Sequence, residues 1–238
     1  MAQAPLQRAF ATMKAHVPPW ISGPIRGVTA AALTPALFSY HSGHFRSCLK
    51  RLAVYKDGEP IPWYSYPCIE FLRHRPFRDK TILEFGGGQS TLWWAERAHK
   101  VVTFEGDKGW LDKLAGQVPS NVELHHVTQA DRTACVAGVE AVLQRRPGFL
   151  HDVVVIDGLW RYELIEVAVR ALADDGMIIC DDADGYGFHG GFMGRDLNRV
   201  DFYGQVPGGA FPHVTSIYFP STSFGFSPNH PIRAAAFQ

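Results

Sequence analysis

Thr81-Ile82-Leu83-Glu84-Phe85-Gly86-Gly87-Gly88-Gln89-Ser90-Thr91 is the stretch that decides the fold. A short apolar run reads as a buried strand, the glycines as a turn, and Gln89 to Thr91 as the start of a helix. Such a junction aims backbone N–H groups at an anionic or polar ligand. Glu84 closes the strand. One helix later, Lys100-Val101-Val102-Thr103-Phe104-Glu105 reads as a second strand and also ends in a carboxylate. A carboxylate there accepts hydrogen bonds from both ribose hydroxyls of a nucleoside. Strand, glycine turn, helix, strand and acid together describe a nucleoside-cofactor site.

Two cofactors suit that plan. A dinucleotide site requires G-x-G-x-x-G, whose third glycine lets helix and strand pack closely. Gly86 and Gly88 fit, but Thr91 holds the third position. Glu84 would also face the negative pyrophosphate of NAD. S-adenosylmethionine (SAM) carries a sulfonium and an ammonium group instead, and a nearby carboxylate suits both. Its own carboxylate can meet the helix N-terminus around Gln89 and Ser90.

The 238 residues, 46% of them apolar, suffice for one domain with or without an arm. Lys plus Arg and Asp plus Glu balance at 23 each, which argues against a general polyanion binder, so no specific nucleic-acid partner is expected. The charge is unevenly spread. No Asp or Glu precedes Asp57, whereas Arg8, Lys14, Arg26, Arg46, Lys50, Arg51 and Lys56 all do. Residues 1–59 therefore read as a basic arm and cap segment, and residues 60–238 as the main domain. The arm reads first as a solvated extension. It also suits an anionic surface, an acidic partner or a homodimer contact, and it resembles an organelle transit peptide. Pro18, Pro19 and Pro24 argue against a long regular amphipathic helix there. The apolar run from Val28 to Phe38 contains Pro35 and is too short to cross a bilayer. Cys48, Cys68, Cys135 and Cys180 form no C-x-x-C pair, which implies free thiols and a cytoplasmic setting.

From Lys80 onward, strands and helices alternate. Strands are expected at Ile82–Phe85, Val101–Glu105, Val122–Val127, Asp152–Ile156 and Gly176–Cys180. Helices are expected at Thr91–Ala98, Lys108–Gln117, Ala134–Arg145 and Tyr162–Leu172. This is the pattern of a parallel sheet with helices on both faces. Arg199–Tyr203 and Thr215–Phe219 lack a helix of that kind between them, so the sheet is expected to finish antiparallel.

Residues Pro60 to Phe219 resemble the class I SAM-dependent methyltransferases. The likeness rests on Leu83-Glu84-Phe85-Gly86-Gly87-Gly88, on Glu105, on Val155-Ile156-Asp157-Gly158 and on the closing strand pair. Within that class the chain is similar to a bacterial group with P-W-Y-x-Y-P, G-x-S-T-L-W-W, V-D-F-Y-G and T-S-I-Y-F motifs. These stand here at Pro62–Pro67, Gly88–Trp94, Val200–Gly204 and Thr215–Phe219. The resemblance implies an α/β, Rossmann-like seven-stranded methyltransferase sheet, parallel but for an antiparallel C-terminal strand. It puts Glu84 near the methionine end of SAM, Gly86, Gly88 and Ser90 along the cofactor, and Glu105 on the ribose. Tyr64 and Tyr66 either contact the cofactor or pack as an aromatic lid, with Tyr66 taken as a contact. Trp93 and Trp94 read as core, and Trp110 as core or as a flank of the adenine.

Asp157 ends the fourth strand and Asp181-Asp182 the fifth, so their carboxylates are expected to converge in one crevice. Two bare carboxylates ~4 Å apart repel by about 4 kcal/mol at an effective dielectric of 20. Mg²⁺, a proton, Arg161 or Arg195 would each neutralise them. A metal held by Asp157, Asp181 and Asp182 would be similar to that of catechol and macrolide-sugar O-methyltransferases, although Ala183 departs from the Asp-Asn-Ser of nearer relatives. Without a metal, Asp157 is left as a base or as a partner for the SAM ammonium. The glycine-rich stretch Gly185 to Gly194 reads as a mobile lid carrying His189, a candidate general base. The reading is a SAM-dependent methyltransferase acting on a small-molecule hydroxyl. Its rivals are a non-catalytic SAM-fold protein and an NAD-dependent oxidoreductase.

Overall fold

The computed structural model describes residues 8, 11–12, 18–146, 148–158, 160–185 and 187–226. Seven strands form one sheet: β1 (Thr81–Phe85), β2 (Lys100–Glu105), β3 (Val122–His126), β4 (His151–Ile156), β5 (Leu172–Cys180), β6 (Asn198–Gln205) and β7 (Pro212–Phe219). Their order is β3-β2-β1-β4-β5-β7-β6. The first five are parallel, and β7 enters antiparallel between β5 and β6. The sheet therefore has the parallel body and antiparallel finish expected of it.

Helices cover both faces. Alternate strand residues feed two cores, as the period of two requires. Ile82, Val101, Val153 and Ile179 pack with α3 (Tyr66–Arg73) and α4 (Gln89–Ala95). Leu83, Val102, Val154 and Ile178 pack with α6 (Arg132–Leu143) and α7 (Ile165–Ala171). On β2, α5 (Lys108–Ala115) follows Asp107, whose side chain accepts from the Trp110 N–H and caps the helix. Trp93 and Trp94 are fully buried core residues, their rings 4.6 Å apart edge to face.

Three expectations are corrected. First, α1 (Pro19–His41) is a long helix despite its prolines. Pro19 stands in its first turn, where no N–H is missed. Pro24 and Pro35 each leave one carbonyl without its usual donor, and both stand on an exposed part of the helix, where water can serve instead. The helix is not amphipathic, since Trp20, Ile25, Val28, Leu37 and Tyr40 are all exposed. Second, packing continues across residue 59: Ala53 and Tyr55, beyond α2 (His44–Lys50), belong to the same core as Ile61. Third, the stretch after β5 contains the short helix α8 (Phe188–Phe192) rather than an open loop. Phe188 and Phe192 are buried, and Phe192 stacks on Tyr218 at 4.0 Å. Lifting α8 as a lid would expose both rings, at roughly 1.5–3 kcal/mol each. Gly191 serves packing, since a Cβ there would meet Ile165 Cδ1 at 2.3 Å, whereas a Cβ on Gly190 would meet nothing within 4 Å. Tyr186 lies outside the described residues. Among the described residues, no helix is long and apolar enough to cross a membrane.

Candidate functional site

A cleft of about 210 Å³ opens at the carboxyl ends of β1 and β4, lined by the glycine turn, Trp63, Glu105, Trp110, Asp157 and Gly158. The three glycines are needed for three different reasons. Gly86 has φ +102°, and a Cβ there would lie 2.4 Å from the Gly158 backbone N. Gly87 packs on β2, where a Cβ would come within 2.9 Å of Thr103 Cγ2. Gly88 is extended, and a Cβ would meet nothing nearer than Trp110 Nε1 at 4.0 Å. The space over Gly88 therefore belongs to the cleft.

Glu84 is fully buried behind this turn, on the face of the sheet that carries Thr103 and Tyr64. Its Oε2 accepts from Thr91 Oγ1 at 2.5 Å and Thr103 Oγ1 at 2.9 Å. Thr91 Oγ1 in turn accepts from the Gly88 N–H at 3.0 Å. The residue that breaks the dinucleotide motif is thus the link that ties turn to carboxylate. Burial pushes Glu84 up to about 7, against hydrogen bonds from Ser90, Thr91 and Thr103. Glu84 Oε1 is buried without a hydrogen-bond partner among the described residues.

Glu105 stands where expected, at the end of β2 and in the cleft wall. Its Oε1 accepts from the N–H groups of Gly106 and Asp107, both at 2.7 Å, and its Oε2 from Gly87 N–H at 2.8 Å. The carboxylate thereby holds the glycine turn while Oε2, which accepts only one bond, keeps acceptor capacity. Trp110 Nε1 donates to the Gly87 carbonyl at 2.8 Å, which fixes its ring at the cleft edge. Trp63 Nε1 donates to the Pro207 carbonyl at 2.6 Å.

The tyrosines separate. Ser65 docks on the far strands: its N–H donates to Thr215 Oγ1 at 2.9 Å and its Oγ to the Phe202 carbonyl at 2.7 Å. The chain turns there into α3. Tyr66 is sent away from the cleft, under Phe38 at 5.4 Å edge to face. Tyr64 is the phenol beside the acids. It is fully buried, receives Trp94 Nε1 at 3.4 Å, and is raised first by burial and then by Glu84 and Asp157.

The acidic residues separate as well. Asp157 and Asp181 share the face of Glu84, because each follows its strand in step with Val155 and Ile179. Burial raises both carboxyls above the ordinary range, and for Asp181 the neighbouring Asp157 charge adds to the effect. Thr215 Oγ1 donates to Asp181 Oδ1 at 2.9 Å. Asp182 is next in line, so it falls out of step, with φ +48°. Arg161 lies among the three. Its Nη1 donates to the Asp181 carbonyl at 2.7 Å, and its guanidinium is 3.5 Å from both Asp157 and Asp182. The expected metal set of Asp157, Asp181 and Asp182 is therefore not assembled: a cation already stands there, and Asp181 spends one oxygen on Thr215. Instead Asp182 groups with Asp184 and His213, with ligand atoms within 4.8 Å of one another.

His189 is exposed on α8, within electrostatic reach of Asp201 on β6, and does not line the cleft. Arg195 is ion-paired with Glu166 and donates to the Gly191 carbonyl at 3.2 Å, so it is not the counter-charge of the acids.

No family model and no curated protein sequence matches the chain. Solved structures do. A precorrin-6y C5,15-methyltransferase from Geobacter metallireducens superposes with a TM-score of 0.51 at 15% identity, over 72% of this chain and 95% of that one. An O-methyltransferase from Bacillus cereus, in complex with SAH, superposes with a TM-score of 0.50 at 14% identity, over 65% of this chain and 78% of that one. The chain shares the fold of these methyltransferases.

Proposed function

We propose that this chain is a SAM-dependent methyltransferase acting on the hydroxyl of a small molecule. One observation carries the reading: open space over Gly88 in a cleft lined by both the Glu105 and the Asp157 carboxylates. The same cleft suits a nucleoside at the Glu105 carboxylate and a cationic amino-acid end at the Asp157 carboxylate. A dinucleotide would bring its pyrophosphate toward Glu84.

When bound, SAM supplies an electrophilic methyl group on a sulfonium sulfur. The chain's own contribution is alignment and proton removal. The Gly87 and Gly88 backbone and Ser90 position the cofactor, and Trp63 and Trp110 limit water at the rim. Asp157 Oδ, at the lip of the cleft, takes the acceptor's proton as the methyl moves to oxygen. Its raised carboxyl makes it a stronger base than a free aspartate, Arg161 pairs with its charge until the proton arrives, and the sulfur leaves as a neutral thioether. No step here runs through a metal.

Calorimetry with SAM, SAH and NAD tests the proposal. SAM or SAH is expected to bind and NAD to bind more weakly or not at all. Gly88→Val is expected to weaken SAM binding about tenfold by filling ligand space, with little change in thermal midpoint, since its Cβ meets no described atom nearer than Trp110 Nε1 at 4.0 Å. NAD binding tighter than SAM, or a Gly88→Val variant that binds SAM as the parent does, would overturn the reading.

A further inference from the structure

A second cavity, of about 180 Å³, lies at the other end of the strands. It is bounded by Val102, by Val142 and Leu143 at the end of α6, by Phe149, and by two imidazoles, His125 and His151. His151 opens β4, whereas Asp157 follows that strand. Six residues at ~3.3 Å each put His151 and Asp157 roughly 20 Å apart along the strand.

His151 is the unusual element. It is 1% exposed, yet neither ring nitrogen has a hydrogen-bond partner among the described residues. A buried imidazole with both nitrogens idle is costly unless something occupies the cavity it lines. Burial, reinforced by Lys100 and Arg146, lowers it to about 4, with Asp152 opposing. The ring is therefore neutral near pH 7, with one N–H to give and one nitrogen lone pair to accept with. A hydroxyl can pair with either nitrogen, accepting from the N–H or donating to the lone pair.

The charges around the cavity point the same way. Glu123 is already satisfied, by Lys100 at 3.0 Å, Arg146 at 2.8 Å and His125 at 2.9 Å. Arg145 also lines the cavity, is exposed, and forms no ion pair with a described residue. The surroundings are thus apolar in the middle, hydrogen-bonding at the depth and cationic at the mouth.

We propose that this cavity is a second ligand site for a small hydroxylated aromatic carboxylate, with the hydroxyl on His151, the ring between Leu143 and Phe149, and the carboxylate toward Arg145. The site is separate from the cofactor cleft and does not depend on the methyltransferase reading.

Para-hydroxybenzoate is the probe, measured by calorimetry and by ligand-observed NMR on the full chain. Saturable binding is expected, unchanged by saturating SAH. Arg145→Gln, at an exposed position that cannot unfold the chain, is expected to weaken it about tenfold, the worth of one charge-assisted hydrogen bond. His151→Phe is expected to abolish it by filling the depth with an apolar ring. Benzoate, lacking the hydroxyl, is expected to bind more weakly than para-hydroxybenzoate. No saturable binding at millimolar probe would overturn the proposal and leave the cavity to water. So would competition by SAH, or equal affinity in the parent and Arg145→Gln proteins.

Discussion

Gly86→Ala is expected to destabilise the protein by about 4 kcal/mol, roughly 10 °C in thermal midpoint for a chain of this size. Two penalties combine. At φ +102° an L-residue is strained, by about 1–3 kcal/mol. The added methyl would also stand 2.4 Å from Gly158 N and 2.6 Å from its Cα. Both are backbone atoms, and neither can swing aside. The Gly158 N–H is bound to the Phe85 carbonyl at 2.7 Å and the Gly86 N–H to the Phe104 carbonyl at 2.8 Å. β1, β2 and β4 are thus clamped together where the methyl would go, so overpacking adds about 1–3 kcal/mol. Gly88→Ala is the control. Two residues along, its methyl meets only cleft, and its midpoint is expected to stay within about 2 °C of the parent. Thermal unfolding of the two variants side by side checks the claim. Midpoints within a few degrees of each other would mean that both glycines serve the same purpose.

That contrast marks what could be read from the chain alone. Glu84, Gly86, Gly88 and Glu105 are legible because strand, turn and helix start are local patterns. Their spacing carries them to one sheet edge whatever the rest of the chain does. Why each glycine is needed is not legible, since Gly158 comes from the turn after another strand, β4. Tyr64 and Tyr66 could not be told apart for the same reason. The turn that parts them is set by Ser65 meeting Thr215 and Phe202, about 140–150 positions on. The acids offered one usable signal. Consecutive strand residues face opposite ways, which already separates Asp182 from Asp181. Which arginine answers them depends on side-chain reach, and Arg195 is claimed by Glu166 instead. In α8, the phenylalanines outweigh the glycines around them. The helix α1 survives its prolines because it is exposed, a condition that the sequence does not display.

Arg161→Gln is expected to cost about 3–4 kcal/mol of stability at pH 8 and much less at pH 6, because it leaves buried acids without their cation. Arg161 is itself largely buried and stands 3.5 Å from Asp157 and from Asp182. The pH dependence follows from the direction of the shifts. Burial raises Glu84, Asp157 and Asp181 above their unfolded values, Glu84 to about 7. A carboxyl raised in this way binds its proton more tightly in the folded state. Its contribution is present at low pH and is lost as pH rises through the folded value. His151 acts in the opposite sense, since it is lowered to about 4. It adds stability as pH rises from about 4 to about 6.5 and changes nothing above that. Between pH 6.5 and 8 the falling carboxyl contributions therefore stand alone among these groups, and the parent's midpoint is expected to decline. Without Arg161 the decline should steepen, because each proton released leaves a charge with no counter-ion. At pH 6 protons still do part of the arginine's work. Asp181→Asn, placed in the Arg161→Gln background, keeps the Thr215 hydrogen bond, removes one charge, and is expected to recover much of the loss at pH 8. Thermal scans at both pH values decide it. An equal loss at pH 6 and pH 8 would mean that Arg161 acts through packing alone. The same scans with millimolar Mg²⁺ separate arginine from metal. A cation held by Asp157, Asp181 and Asp182 would raise the variant's midpoint by mass action. With one oxygen of Asp181 committed to Thr215 and Asp182 out of step with the other two, no rise is expected.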